Sequence, residues 1–135
     1  MIRRSFIKWQ LPALLWAVIL LGLTWYPHVE IPDIGLDYKD KIAHIICFGL
    51  LALLFCRAVS RFEINRLPKA IKTTLIYCSL FAIIDEWGQS FIPGRFSTFS
   101  DGLANLIGVV LAIPFFQLIL FPLQQKLNFS KQVKP

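Results

Sequence analysis

Apolar residues in this chain run in long blocks and do not alternate with polar ones. Four blocks stand out, at about 9–26, 42–59, 70–92 and 103–121. A hydrocarbon core of ~30 Å needs ~20 helical residues, so each block is long enough to span, the second only just. Backbone groups in lipid must be satisfied within their own segment, which leaves helices as the form these blocks take. The expected fold class is an all-α, four-helix transmembrane bundle. Trp9, Trp25 and Tyr26 bracket the first block as interfacial anchors do. Pro114 lies inside the fourth, where membrane helices tolerate a kink. The expected organisation is a basic N-terminal tail at 1–8, a membrane domain at 9–122 and a C-terminal tail at 123–135. The last segment is polar and reads as frayed.

Charge then gives direction. Arg3, Arg4 and Lys8 precede the first block, Arg57, Arg61, Arg66, Lys69 and Lys72 surround the second loop, and Lys126, Lys131 and Lys134 follow the fourth. These are eleven of the 14 basic residues, while seven of the eight acidic residues lie towards the other side. Excess Lys and Arg marks the cytoplasmic face, so both termini are expected there, with the first and third loops outside. The expected location is a bacterial cytoplasmic (inner) membrane, with the polar motifs on the extracytoplasmic side.

Composition agrees with the blocks. Of 135 residues, 56% are hydrophobic and 16% charged, and mean hydropathy is +0.63. Soluble domains carry about 45–50% apolar and about 25% charged residues, so a water-soluble fold and a disordered chain are both excluded. The net charge of +6 would suggest nucleic acid if its sources formed one patch. They follow topology, so no nucleic-acid partner is expected; the bilayer and its anionic headgroups are. Arg3-Arg4-Ser5-Phe6-Ile7-Lys8 resembles a twin-arginine export signal. No small-residue cleavage site follows, and the reading preferred is a basic anchor before an uncleaved helix. Cys47, Cys56 and Cys78 show no metal or redox spacing and read as small hydrophobes.

The informative residues are polar ones inside or beside the outer membrane half. Asp40 and His44 are four apart and share a helix face, with Lys41 between them. The carboxylate can fix the imidazole tautomer, whereas Asp37 and Asp40 can also act as simple helix caps. Asp85, Glu86 and Gln89 form a second group. Measured between Lys72 and Pro93, Asp85 falls ~12 Å inside the span. Acids at such depth are costly unless partnered. The competing reading ends the helix at Ile84 and leaves them at the interface. In the third group, Pro93-Gly94 turns the chain and sets Arg95 beside the helix ends. Thr98 and Asp101 have capping-box spacing, and Asn105 lies a turn deeper. Ala104, Gly108 and Ala112 form a small-residue stripe of the kind that lets membrane helices approach, a packing feature more than a site.

These three groups look like the motifs of the VanZ-like family of membrane proteins. The resemblance rests on Asp40-Lys41-x-x-His44, on Asp85-Glu86-x-x-Gln89-x-Phe91-x-Pro93-x-Arg95, and on Asp101-x-x-Ala104-Asn105-x-x-Gly108. It covers about residues 12–120. Minor departures are Cys47-Phe48 and the lack of a second glycine at 112. The resemblance implies a bacterial envelope protein, with a link to susceptibility to the lipoglycopeptide teicoplanin through the family's founding member. It implies no assigned reaction.

Three functions stay open at this point. The preferred one is binding or remodelling of an envelope lipid or lipid-linked glycan in an outward pocket of Asp40, Lys41, His44, Asp85, Glu86, Gln89, Arg95, Asp101 and Asn105. The second is a hydrolase or transferase acting on a lipid phosphate, with His44, Asp85 and Glu86 as catalytic candidates. The third is a scaffold whose polar residues lock the helices together, with Pro93, Gly94, Ala104 and Gly108 structural. No cofactor and no metal ligand set is expected, although the acids leave a divalent cation open. An oligomer is left open too.

Overall fold

The computed structural model describes residues 2–26, 37–93 and 98–133. Every regular element among them is helical. The order is α1 (Ile2–Trp9), α2 (Leu11–Thr24), α3 (Asp37–Ser60), a 3-10 turn (Ile64–Arg66), α4 (Leu67–Gln89), α5 (Phe99–Phe115), a π segment (Phe116–Leu120) and α6 (Phe121–Val133).

Three helical stretches are long and apolar enough to cross a membrane: Lys39–Ser60, Ile64–Gln89 and Phe99–Ser130. The first block of the sequence holds α2, and the segment before it, expected as a basic tail, is helical as α1. Pro12 at the start of α2 lacks an N–H and favours a fresh helix start, and Gln10 supplies the break before it. The resulting α2 has 14 residues, about 21 Å of helix, shorter than the other three.

The fourth block runs past its expected end. Pro114 withholds an N–H from the ladder, and the helix answers at 116–120 by opening into a π segment, where Phe121 N–H reaches back five residues to Phe116 O. The helix then resumes with Pro122 in its first turn, where the missing N–H does least harm. The segment expected to fray is therefore helical as far as Val133.

Packing centres on α3 and α5. A Cβ built on Gly108 would lie 2.3 Å from the carbonyl oxygen of Ile45 and 3.0 Å from the Gly49 nitrogen. Gly49 in turn faces the Gly108 carbonyl at 3.4 Å. The two backbones touch without side chains between them, as small-residue faces allow. Around this contact Leu20, Phe48, Leu51, Cys78, Ala82 and Val109 form the core.

At the end where α1 and α6 meet the α3–α4 corner, Phe62 stacks on Phe116 at 5.5 Å and meets Trp9 and Phe121 at a tilt. Arg57 spans from α3 to the Lys8 carbonyl at 3.1 Å, with its guanidinium over the Trp9 ring. The corner between α3 and α4 places Arg61 and Phe62 at φ 51° and 58°. Such a conformation costs a non-glycine residue roughly 1–2 kcal/mol. The Phe62 stacking offsets part of it. Large apolar side chains such as Leu15, Val18, Ile84 and Leu118 point outward, the arrangement a lipid solvent permits.

Gly108 and Gly22 give a controlled comparison. Gly22 has nothing within 4 Å of its missing Cβ. Gly22→Ala should raise stability by about 0.5–1 kcal/mol through helix entropy. Gly108→Ala should lower it by about 1–3 kcal/mol, because backbone and not a flexible side chain must yield. Thermal midpoints of both variants in one detergent check the opposite signs.

Candidate functional site

The polar residues singled out in the sequence gather at the end of the bundle opposite the termini. The C-terminal end of α2 contributes Thr24, with Trp25 just beyond it. The first turns of α3 contribute Asp40, Lys41 and His44. The last turns of α4 contribute Asp85, Glu86 and Gln89, and the start of α5 contributes Asp101 and Asn105. The α4 helix continues to Gln89, so the reading that ends it at Ile84 does not hold.

Asp85 is fully buried. Thr24 Oγ1 and Trp25 Nε1 donate to its Oδ1 at 2.6 and 3.0 Å, and Gln89 Nε2 donates to its Oδ2 at 2.9 Å. Three converging donors replace the water that the carboxylate lost on burial. Gly88 makes room for this arrangement: a Cβ there would lie 2.4 Å from the Trp25 ring. Trp25 is thus both half-exposed, as an interfacial anchor should be, and a direct partner of the buried acid.

Asn105 is also fully buried. Its Nδ2 donates to Glu86 Oε1 at 3.0 Å, which fixes the amide orientation because the acid accepts. Its Oδ1 then faces His44 Nδ1 at 2.9 Å. The imidazole proton accordingly sits on Nδ1, and Nε2 is turned towards Asp40 Oδ1, 3.8 Å away. One chain of contacts therefore joins α3, α5 and α4. Asp40 itself remains open to solvent, with 64% of its side chain exposed, while that of His44 is 10% exposed.

Thr98 caps α5 through the Asp101 backbone. The Asp101 N–H donates to Thr98 Oγ1 at 3.3 Å, and Thr98 Oγ1 donates back to the Asp101 Oδ2 at 2.5 Å. Its Oδ1 is buried without a hydrogen bond and faces the Lys41 ammonium at 3.6 Å. One ligand atom each from Asp40, His44 and Asp101 lies within 4.8 Å of the others. Two carboxylates and an imidazole are a donor set that a divalent metal could use. Lys41 already supplies positive charge to one of the three.

A groove of about 250 Å³ runs beside this cluster between α4 and α5, with Glu86 and Thr98 on a wall otherwise made by residues such as Ile83, Leu103 and Leu106. Of the sequence candidates, Gly94 and Arg95 lie outside the described residues, and Pro93 is exposed in the turn after α4. Ala104 is buried, and Gly108 packs on the α3 backbone. The three cysteines are free thiols, two of them buried.

Sequence reasoning missed Thr24, and it read Trp25 only as an anchor. Neither is near Asp85 in the chain, and the one available signal was a hydroxyl and an indole N–H ending an apolar helix.

The Asp85 cage is testable as a unit. Asp85→Ala should cost about 1–3 kcal/mol, since it removes the shared acceptor of Thr24, Trp25 and Gln89 and leaves the buried Gln89 amide without it. Trp25→Phe removes one donor from the other side. Stability of the single and double variants should give a coupling of about 0.5–3 kcal/mol, against none for Trp25→Phe paired with a distant change.

Comparison with known proteins agrees with the motif resemblance. The family model for VanZ/LLP1 matches residues 8–124, nearly the whole chain. An uncharacterised protein of fission yeast, C11E3.10, is 32% identical over 83 residues, 61% of this chain and 49% of the yeast protein. The chain thus spans about half the length of that eukaryotic relative. No solved structure matches. With the polar motifs assembled at one end of an all-helical membrane bundle, the chain belongs to the VanZ/LLP1 family.

Proposed function

We propose that this VanZ-like membrane protein binds the polar headgroup of a membrane lipid at the rim formed by Asp40, Lys41, His44 and Glu86. The observation that carries this reading is the division of labour within the cluster. Asp85, Gln89 and Asn105 are buried, Asp85 paired with Gln89 and Asn105 with Glu86 and His44, whereas the Asp40 and Lys41 side chains stay 64% and 40% exposed. Buried members position, and exposed members meet the ligand. The groove beside Glu86 offers apolar wall for the first part of a lipid tail. Lys41 supplies positive charge for a phosphate, and Asp40 and Glu86 accept from hydroxyls or amines.

The fission-yeast relative favours a headgroup that eukaryotic membranes also carry over a precursor restricted to bacterial walls. Binding at the extracytoplasmic surface, and any effect on lipoglycopeptide susceptibility, would follow from this reading through a changed surface lipid.

A catalytic reading has one observation in its favour. With Nδ1 held by Asn105, His44 Nε2 carries the lone pair a general base needs. Its readout is product formed from a polyprenyl or diacyl phosphate, lost in His44→Gln.

The headgroup reading is tested by native mass spectrometry of the gently solubilised protein beside Lys41→Gln and Glu86→Gln. A retained polar lipid should fall about tenfold in occupancy-derived affinity in each, equivalent to ~1.4 kcal/mol, with helix content and thermal midpoint close to the parent. Unchanged lipid retention in two folded variants would overturn it.

A further inference from the structure

A larger cavity lies at the opposite end of the molecule, away from the polar cluster. It measures about 810 Å³ and opens between α2, α3 and α4. Its walls are apolar. Ala13 and Ala17 face it from α2, Leu51 and Phe55 from α3, and Cys78 and Phe81 from α4. The two alanines leave the room: α2 presents methyl groups there, with Leu14 at the edge of the cavity and Leu15 turned outward. Arg61, Arg66 and Lys69 also line it, from the α3–α4 corner and the first turn of α4.

We propose that this cavity holds one acyl chain of an anionic phospholipid, with the headgroup phosphate between Arg61 and Lys69. Three observations carry the inference. A cavity of this size falls within the ~300–1,000 Å³ of ligand sites, and it is open on one side, where Leu14 and Tyr77 are exposed, so a lipid tail can enter it from the bilayer. Its length also fits. From Lys69 at the mouth to Phe81 at the deep end is about 18 Å along α4, close to the depth of one leaflet, half of ~30 Å. Charge selects the headgroup. Glu63, the one acid of this loop, pairs with Arg66 at 2.5 Å. Among the described residues no acid lies within ion-pair distance of Arg61 or Lys69.

The corner itself contributes. Arg61 occupies a left-handed conformation at φ 51°, held by Phe62 in its aromatic stack and by Gln125 Nε2 donating to the Phe62 carbonyl at 2.6 Å. A guanidinium is thereby placed beside the cavity by backbone that an unstrained helix end would not adopt.

The test uses the full chain reconstituted into vesicles of equimolar phosphatidylglycerol and phosphatidylcholine, extracted in mild detergent, with bound lipid quantified by mass. About one phosphatidylglycerol per chain should be retained. A surface cation is worth about fivefold to an anionic lipid, so enrichment over phosphatidylcholine should be at least that. Arg61→Asn combined with Lys69→Gln should abolish the enrichment; asparagine is chosen because it tolerates a left-handed backbone. Ala17→Phe should fill the void and reduce bound lipid of both kinds. Glu86→Gln, at the other end, should leave the enrichment intact, which separates this site from the headgroup rim proposed above. If the double variant loses its helix content, Lys69→Gln alone and Ala17→Phe decide. No enrichment in the parent, or enrichment unchanged by the charge variants and by Ala17→Phe, overturns the proposal.

Discussion

The direct backbone contact of α3 and α5 at Gly49 and Gly108 governs the rest of the molecule. Backbone meets backbone there, which fixes the rotation and register of the two helices together. Gly108 meets the carbonyl of Ile45, the residue that follows His44. Asn105 lies one turn before Gly108 on the same helix. Once the glycines are in contact, His44 and Asn105 stand opposite each other at hydrogen-bond distance. The polar end therefore inherits its geometry from a contact made of backbone alone. Hydrophobic association between helices is weak in lipid, so close van der Waals contact of this kind is the term available to set it.

The two ends of the bundle solve different problems. At the polar end, charge is balanced inside the protein. Asp85 has three donors, Asn105 bridges two ionisable groups, and Asp101 has its cap and Lys41. At the basic end, charge is left in excess, and structure comes from aromatic stacking around Phe62 and from Arg57 clasping α1. The internal balance makes the first end rigid, and the excess makes the second receptive to anions. The polar motif residues that the structure describes, from Asp40 to Asn105, lie at the first end.

Much of this was legible in the sequence. Block length gave the helices, and depth arguments marked Asp85, Glu86 and Asn105 as residues in need of partners. Capping spacing gave the Thr98 cap of α5, and four-residue spacing gave the small stripe through Gly108. Other features depend on pairings between distant residues that no local pattern encodes. Thr24 and Trp25 lie about 60 residues from Asp85, and Gly49 reads as an isolated glycine until Gly108 is laid against it. The helix past Pro122 was hidden by a rule that treats proline and polarity as a stop, which a π segment after Pro114 evades. The shortness of α2 was visible in Gln10 and Pro12 but outweighed by the apolar run around them. The large cavity was invisible, because alanines at 13 and 17 look like ordinary helix formers.

The cage around Asp85 also bears on how such a chain enters a membrane. Helices are delivered in order, and α2 arrives before α4. When Asp85 reaches the bilayer, its hydroxyl and indole partners are already waiting at the end of an inserted helix. An unaccompanied aspartate at the centre of a span is charged about 2.5–3.5 kcal/mol on insertion scales. Receiving donors from a segment made earlier lowers that barrier at the moment it is met. Two of the three donors that Asp85 needs thus come from the end of a helix that precedes α4 in the chain.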